Sequence, residues 1–140
     1  YLHSCDGVRA SQLRGGFFAG WPNAPTPEVH LRVLRGSYRV VLAREGDSGC
    51  IVGFVTAVSD GVLAAYVPLL EVLPSHRGQG IGRELMRRLL HELRGLYMID
   101  LTCDPELEAF YAPLGMRPYS AMIVRNHARQ GGAPQEGGPP

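Results

Sequence analysis

Three glycines at alternate positions, Gly78, Gly80 and Gly82, follow an arginine, Arg77, and come directly before an amphipathic stretch. The first N–H groups of a helix lack partners within the helix and carry partial positive charge. Glycines let an anion approach such groups without a side chain in the way, and Arg77 adds a full positive charge. This combination predicts a diphosphate site. A surface turn that uses glycine only for its backbone angles is the simpler alternative.

Two nucleotide-binding motifs are excluded by the residues after these glycines. The nucleoside-triphosphate loop needs Lys-Ser or Lys-Thr after its last glycine, but Gly82 is followed by Arg83-Glu84. In the dinucleotide fingerprint that would start at Gly78, Arg83 occupies the place of the third glycine. Asp100 does lie where that fold has an acidic residue, about twenty residues on. The loop therefore serves another ligand.

The elements around the loop are predicted to be a strand and a helix. An apolar run from Leu69 to Leu73 is short enough for one buried strand, and Pro74 ends it. After the loop, six apolar residues recur at helical spacing on one face. They are Ile81, Leu85, Met86, Leu89, Leu90 and Leu93. Gly95 stands where a helix would end, so the segment reads strand, glycine loop, helix.

The segment from Arg77 to Gly82 fits the pattern Gln/Arg-x-x-Gly-x-Gly/Ala and resembles the acyl-CoA pyrophosphate loop of the GNAT superfamily of N-acetyltransferases. Downstream, Phe110-Tyr111-Ala112-Pro113-Leu114-Gly115-Met116 is similar to the F/LYxxLGF ending of a helix in that family, with Met116 in place of the usual Phe. The two motifs occur in the family's order, and the resemblance covers roughly residues 51 to 125. Together, the two motifs are a specific signal for this family.

The resemblance implies that acetyl-CoA is the co-substrate and that no metal takes part. The pyrophosphate would lie against Arg77, Gly78, Gln79, Gly80, Ile81, Gly82 and Arg83. Strand backbone at Leu70, Val72 and Leu73 would pair with the linear, amide-bearing pantetheine arm, as an added strand does. Asp104 is included among the cofactor-binding residues, although capping the helix that starts at Pro105 is its favoured role.

The catalytic expectations concern one acid and one base. On the resemblance, Tyr111 points at the CoA sulfur, and its phenol would protonate the departing thiolate. The base is open: Tyr66 stands where some relatives have Glu or His, which leaves Glu71, Asp100 or a chain of waters. The two carboxylates could face one cleft and raise each other's pKa. Cys103 is assigned to the core, because no histidine lies near it in sequence.

The predicted fold class is α/β (α+β), with helices around a mixed, mostly antiparallel sheet whose two parallel strands splay around the CoA site. Helices are predicted at 11–18, 27–35, 81–93 and 105–114. Strands are predicted at 38–45, 50–58, 62–73, 97–103 and 119–125. Residues 1–125 would form a single GNAT-like domain, and the Gly/Pro-rich residues 126–140 a disordered tail. Phe17, Phe18 and Trp21 are predicted to form a core patch or the wall of an acceptor pocket.

Composition limits the partners. The net charge of +1 calls for neither nucleic acid nor an anionic membrane, and no apolar run reaches the ~18 residues of a membrane span. Three widely spaced cysteines and the absence of a secretory signal pattern predict a cytoplasmic protein with free thiols. The five histidines show no metal-ligand spacing.

The acceptor is expected to be a small-molecule or peptide amine, and exposed strand edges favour a homodimer. A non-catalytic acyl-CoA-binding or interaction module on the same fold is the alternative, since fold does not guarantee function.

Overall fold

The structure is a computed structural model that describes residues 1–134. Three helices and four strands follow one another in a fixed order. They are α1 Pro27–Gly36, β1 Arg39–Arg44, β2 Ile51–Ser59, β3 Ala64–Val72, α2 Ile81–Glu92, β4 Met98–Asp100 and α3 Glu108–Tyr111. Single 3-10 turns connect or flank them at Ala10–Leu13, Pro74–His76, Pro105–Leu107, Ala112–Leu114 and His127–Arg129.

The four strands form one mixed sheet in the order β1-β2-β3-β4. The first three strands pair in antiparallel fashion, whereas β3 and β4 run parallel and pair at only three positions, from Ala64 with Met98 to Tyr66 with Asp100. Beyond Tyr66, β3 continues to Val72 while β4 ends, so in residues 1–134 no strand covers that side of β3. This mixed sheet with splayed parallel strands confirms the predicted fold class.

A bulge in β3 decides which way its second half faces. Val58 of β2 pairs with Tyr66, but Thr56 pairs with Leu69, so two residues of β3, Val67 and Pro68, lie opposite the single residue Ala57. A bulge of this kind shifts the alternation of side chains by one residue.

After the bulge, Glu71 lies opposite Phe54 and Val72 lies opposite Gly53. Because opposed residues share a face of the sheet, Glu71 faces the same side as Phe54, and Val72 faces the other side.

Helix α2 packs on the Gly53 face of the sheet. Leu85, Met86 and Leu89 are fully buried there, as their helical spacing predicts. A Cβ on Gly53 would lie 3.0 Å from a methyl of Leu85 and 3.2 Å from one of Ile81. The missing side chain therefore lets the start of α2 lie close to the strand.

Helix α1 packs on the Phe54 face. It begins as predicted, with Pro27 at its first position and the hydroxyl of Thr26 accepting a hydrogen bond from the N–H of Val29 at 3.2 Å. Its buried His30 ring lies 4.3 Å from the Phe54 ring, centre to centre. Phe17 and Phe18 complete this aromatic cluster.

The N-terminal helix predicted at 11–18 is wrong, because only the turn Ala10–Leu13 forms. The chain then takes positive φ angles at Gly16 and Phe18, which a helix does not allow. The helix predicted at 105–114 is one α-helical turn between two 3-10 turns.

The strand predicted at 119–125 is also wrong within this chain. Residues 119–125 pair with no strand, and Tyr119, Met122 and Val124 are almost fully exposed. The chain instead continues to the loop before α1, where the side-chain amide of Gln130 accepts a hydrogen bond from the N–H of Asn23 at 3.1 Å.

Of the tail predicted to be disordered, residues 126–134 lie along α1. Arg32 donates a hydrogen bond to the Ala133 carbonyl at 3.1 Å, and Asn23 donates one to the His127 carbonyl at 3.4 Å. The prediction for residues 135–140 lies outside the described residues. None of the helices in residues 1–134 has the length and hydropathy that crossing a membrane requires.

Candidate active site

The glycine loop has the geometry that its sequence predicts. Gly78 and Gly80 have φ angles of +77° and +81°, in the left-handed region that favours glycine. A Cβ at either position would meet no atom within 4 Å, so the space above the loop is open. Gly80 is the residue before α2, and no side chain caps the helix there. The first N–H groups of α2 are thus left for a ligand or water.

The other loop residues fall into two groups. Gln79 and Arg83 are exposed, whereas Ile81 and Gly82 begin α2 and are half-buried. A Cβ on Gly82 would lie 3.5 Å from the Phe110 ring, which places the start of α2 directly against α3. The loop therefore brings the two predicted motifs together.

Arg77 joins the loop to the end of β3. Its Nε donates a hydrogen bond to the Val72 carbonyl at 3.0 Å, which holds the guanidinium beside the glycines. A fixed positive charge at this point complements the partial charge of the α2 N-terminus, and both attract an anion.

A gap opens between β3 and β4 beyond Tyr66, where the two strands no longer pair. The backbone N–H and carbonyl groups of alternate β3 residues face this gap. The N–H of Leu73 bonds to the Val52 carbonyl of β2 at 2.8 Å, so its polar groups face β2. By the alternation of an antiparallel ladder, Leu70 and Val72 direct theirs to the open side. Of the three residues predicted to pair with a pantetheine arm, Leu70 and Val72 have the required orientation and Leu73 does not. The Val72 carbonyl is already used by Arg77.

The narrow end of the gap is closed by a side-chain contact. The hydroxyl of Tyr66 on β3 lies 2.8 Å from the hydroxyl of Thr102, just after β4. Tyr66 thus cross-links the two strands where they begin to diverge. Its hydroxyl makes a structural hydrogen bond, although some relatives carry a base at this position.

Glu71 lies on the α1 side of the sheet, half-buried, and connects β3 to the N-terminal loop. Its Oε1 accepts a hydrogen bond from the backbone N–H of Phe18 at 2.8 Å. Burial raises the pKa of this carboxyl, while the Phe18 N–H and the charge of Arg77 oppose the shift. Phe18 itself has φ = +62°, a strained conformation for a phenylalanine. The carboxylate therefore fixes a strained loop.

Asp100 occupies a different place. It is exposed in β4 and lies opposite Tyr66, five residues before Glu71 on β3, which is roughly 15 Å along a strand. Its charge is not among the causes that shift the pKa of Glu71. The structure does not bring the two carboxylates together.

Tyr111 ends α3 and is half-buried. Its ring packs edge-on against Phe110, with 4.9 Å between ring centres. Burial raises the pKa of the phenol, and the nearby Cys103 thiol adds to the shift. The hydroxyl therefore keeps its proton at neutral pH, as a proton donor must.

Two assignments near Tyr111 need correction. Cys103 is exposed and not part of the core, because the chain leaves the sheet after Asp100. Asp104 precedes Pro105 with an extended backbone, yet its side chain makes no capping hydrogen bond and is exposed. Its carboxylate is left open to solvent.

His30 is a feature that the sequence did not reveal, since an isolated histidine in a helix gives no signal. It is 1% exposed, and its Nε2 has no partner within residues 1–134. Burial lowers its pKa from 6.5 to about 4. A cavity of about 220 Å³ lies beside it. The lining residues are Leu13, Arg14, Gly16, Phe17, Phe18, Pro25, Pro27 and His30. Phe17 and Phe18 thus serve both core and cavity wall, whereas Trp21 is exposed.

Comparison with known proteins identifies relatives over most of the chain. Residues 10–116 match the family model described as "Acetyltransferase (GNAT) family". The chain is 30% identical to the protein named "Uncharacterized N-acetyltransferase ycf52" of Porphyra purpurea, over 69% of this chain and 57% of that protein. It is also 30% identical to "GCN5-related N-acetyltransferase 1, chloroplastic" of Arabidopsis thaliana, over 79% of this chain and 57% of that protein. The chain thus spans somewhat more than half the length of these relatives.

Solved structures show the same fold. A candidate acetyltransferase from Deinococcus radiodurans R1 superposes with a TM-score of 0.91 at 50% identity, covering 96% of this chain and 92% of that one. A GNAT family acetyltransferase from Streptococcus pneumoniae TIGR4 superposes with a TM-score of 0.68 at 30% identity, covering 85% and 92%.

Proposed function

The chain belongs to the GNAT family of acetyltransferases, and we propose that it transfers the acetyl group of acetyl-CoA to a primary amine by direct attack. The observation that carries this proposal is the gap between β3 and β4 beside the glycine loop. One end of the gap offers strand backbone at Leu70, and the other offers the free N–H groups of α2. The names of the relatives from Porphyra purpurea and Arabidopsis thaliana support an amine acceptor.

The residues present fit acetyl-CoA as a substrate. The open space over Gly78 and Gly80 suits a diphosphate, and Arg77 supplies a fixed positive charge beside it. The unpaired edge of β3 suits the amides of pantetheine. With the donor in this gap, its thioester would lie between β3 and α3, the element that carries Tyr111.

In the proposed reaction, the neutral amine attacks the thioester carbonyl, the C–S bond breaks, and the amine loses a proton while the thiolate gains one. We assign protonation of the thiolate to Tyr111, whose phenol is kept protonated by burial. We assign removal of the amine's proton to Glu71 in preference to Asp100. Glu71 is half-buried beside the Phe18 loop, and its raised pKa brings it closer to the range in which a general base works.

The reaction is tested by incubating the protein with acetyl-CoA and a panel of primary amines, and following CoA release together with the mass of the product. With an acceptor present, the proposal expects acetylated amine to form. Without an acceptor, it expects no release of CoA. Binding of acetyl-CoA without turnover of any amine would favour the non-catalytic module instead.

Direct attack is distinguished from an acyl-enzyme by Cys103, the exposed thiol nearest to Tyr111 in sequence. Under direct attack, Cys103→Ala retains most of its activity and initial-rate plots for both substrates intersect. A burst of CoA release that disappears in Cys103→Ala would contradict direct attack.

A further inference from the structure

His30 carries a polar atom that nothing in the described chain satisfies. Its ring is 1% exposed, and no group within residues 1–134 forms a hydrogen bond with its Nε2. An unpaired polar atom at this depth is costly and is rare in native proteins. Burial lowers the pKa of the ring to about 4, so at neutral pH the imidazole is uncharged and has one donor and one acceptor nitrogen. The position therefore calls for a neutral hydrogen-bonding partner.

The cavity of about 220 Å³ beside His30 has the space for such a partner. Among the described residues that line it, Arg14 carries the one formal charge, and the others apart from His30 are apolar. The Arg14 guanidinium is exposed and lies 3.6 Å from the carboxylate of Glu28, so most of its field is spent outside the cavity. An apolar cavity of about 150 Å³ is large enough to bind benzene. This cavity therefore has room for a six-membered ring with a substituent.

Phe18 joins the wall of the cavity to Glu71. Its ring lines the cavity and lies 5.0 Å from the His30 ring, centre to centre. Its backbone N–H donates a hydrogen bond to Oε1 of Glu71 at 2.8 Å. A phenylalanine at φ = +62° is uncommon, and backbone strain of this kind is concentrated at functional sites. A single residue thus separates the cavity from the carboxylate to which we assign the amine's proton.

We propose that the acceptor is a primary amine on a short chain that ends in a neutral aromatic ring, and that the ring occupies this cavity with a hydroxyl group hydrogen-bonded to His30. The position of the amine, towards Glu71, rests on the proposed function. A phenol hydroxyl both donates and accepts, so it satisfies Nε2 in either tautomer of the imidazole. His30 then determines specificity and takes no part in proton transfer.

The chemistry of the cavity disfavours other side groups on the acceptor. A charged group would leave water for aromatic walls and an uncharged imidazole, which do not compensate for its lost hydration. A ring without a polar substituent would fill the volume but would leave Nε2 of His30 unpaired. The hydroxyl group is therefore the feature whose effect should be measured.

The first test compares 2-phenylethylamine with its three ring-hydroxylated isomers as acceptors near neutral pH. Each isomer differs from the parent amine by one oxygen atom. At least one isomer should exceed 2-phenylethylamine in kcat/KM by about 10- to 100-fold, because its hydroxyl group satisfies an atom that is otherwise unpaired. A wild type that acetylates amines but prefers none of the three isomers would overturn the proposal.

Variants at position 30 show whether the preference comes from His30. His30→Phe fills the space without a hydrogen bond, so the ratio of kcat/KM values should fall to about one, whereas His30→Gln should retain part of it. Each ratio is measured within one variant, so a smaller amount of folded protein does not change it. His91→Phe, at an exposed position of α2, is the matched control and should keep the wild-type ratio. An unchanged ratio in His30→Phe would also overturn the proposal.

The second test observes the His30 ring directly and needs no turnover. The wild type is labelled with ¹⁵N at histidine, and the spectrum of His30→Phe identifies the signals of His30. At least one hydroxylated isomer should shift the Nε2 signal, and 2-phenylethylamine should shift it less. An Nε2 signal that responds to none of the isomers would show that the cavity is not their site. If the signal responds but no amine is acetylated, the cavity binds the ring and the proposed transfer reaction is wrong.

Discussion

Tyr111 is the residue on which the proposed chemistry depends most. Replacing it with Phe keeps the ring packed against Phe110 and removes only the hydroxyl. If the phenol protonates the leaving thiolate, kcat should fall by about 10² to 10⁴ while the Kd of CoA changes little. The loss should be smaller for a donor whose thiol is more acidic. Steady-state kinetics and calorimetry together measure both quantities.

An alternative role for Tyr111 is positioning of the donor. In that case Tyr111→Phe would weaken CoA binding and kcat together, and the acidity of the donor thiol would not matter. Equal rates for wild type and variant, with the chemical step shown to limit the rate, would remove Tyr111 from the mechanism.

Glu71 offers a separate test through the rate-versus-pH profile. Its pKa is raised by burial, so activity should be lost as the pH falls through that raised pKa and the carboxylate gains a proton. Glu71→Gln retains an oxygen for the Phe18 N–H but cannot take the proton, so the acidic limb should flatten and kcat should drop.

Glu71→Ala removes both the proton acceptor and the oxygen that holds the Phe18 N–H, so it should also disturb the loop around Phe18. Asp100→Asn is the matched control, since it removes the other carboxylate while leaving the acidic limb in place. A flattened limb in Asp100→Asn and an unchanged one in Glu71→Gln would reverse the assignment.

At the scale of the element, the proposed function requires the strand, glycine loop and helix to bind a diphosphate together. Gly80→Asp and Gly80→Asn make a matched pair, because both residues tolerate a positive φ angle and have nearly the same size. The Asp variant also places a negative charge against the phosphates. CoA should bind to it tenfold to a hundredfold more weakly, as an order of magnitude, than to the Asn variant. Calorimetry measures the ratio, and equal affinities for CoA would contradict the loop assignment.

The elements that could be predicted are those whose signal is local. The buried face of α2 and the start of α1 at Thr26 and Pro27 follow from spacing and capping residues within one helix. The unpaired, exposed conformation of residues 119–125 could not be predicted, because a strand pattern does not say which sheet edge receives the segment or whether any edge of its own chain does. The same limit applies to Glu71, whose face depends on a bulge.

At the scale of the whole molecule, His30 makes stability depend on pH. Its pKa is lowered from 6.5 to about 4 in the folded state, so the unfolded chain binds the proton more readily. The contribution of neutral His30 to the free energy of unfolding is fully present above pH 6.5 and is lost as the pH falls towards 4. Between pH 7 and pH 4.5, the wild type should lose roughly 2 to 3 kcal/mol more free energy of unfolding than His30→Phe.

Chemical denaturation at the two pH values measures this difference. His91→Phe, at an exposed position of α2, is the control and should behave as the wild type does. An equal loss of unfolding free energy in the wild type and in His30→Phe would show that the pKa of His30 is not lowered in the folded state.

The bulge at Val67 and Pro68 gives β3 a second possible register. If the full-length strand paired regularly from Tyr66 onward without a bulge, Glu71 would lie opposite Gly53, on the face where Ile81 and Leu85 of α2 pack. That register would bury a charge under α2 and remove the acceptor for the Phe18 N–H, so the charge of Glu71 disfavours it. Deleting one residue at 67–68 would instead remove the bulge and leave Leu69 opposite Thr56 and Glu71 opposite Phe54, so the side chain most polar in the strand, and not the number of residues, selects the register.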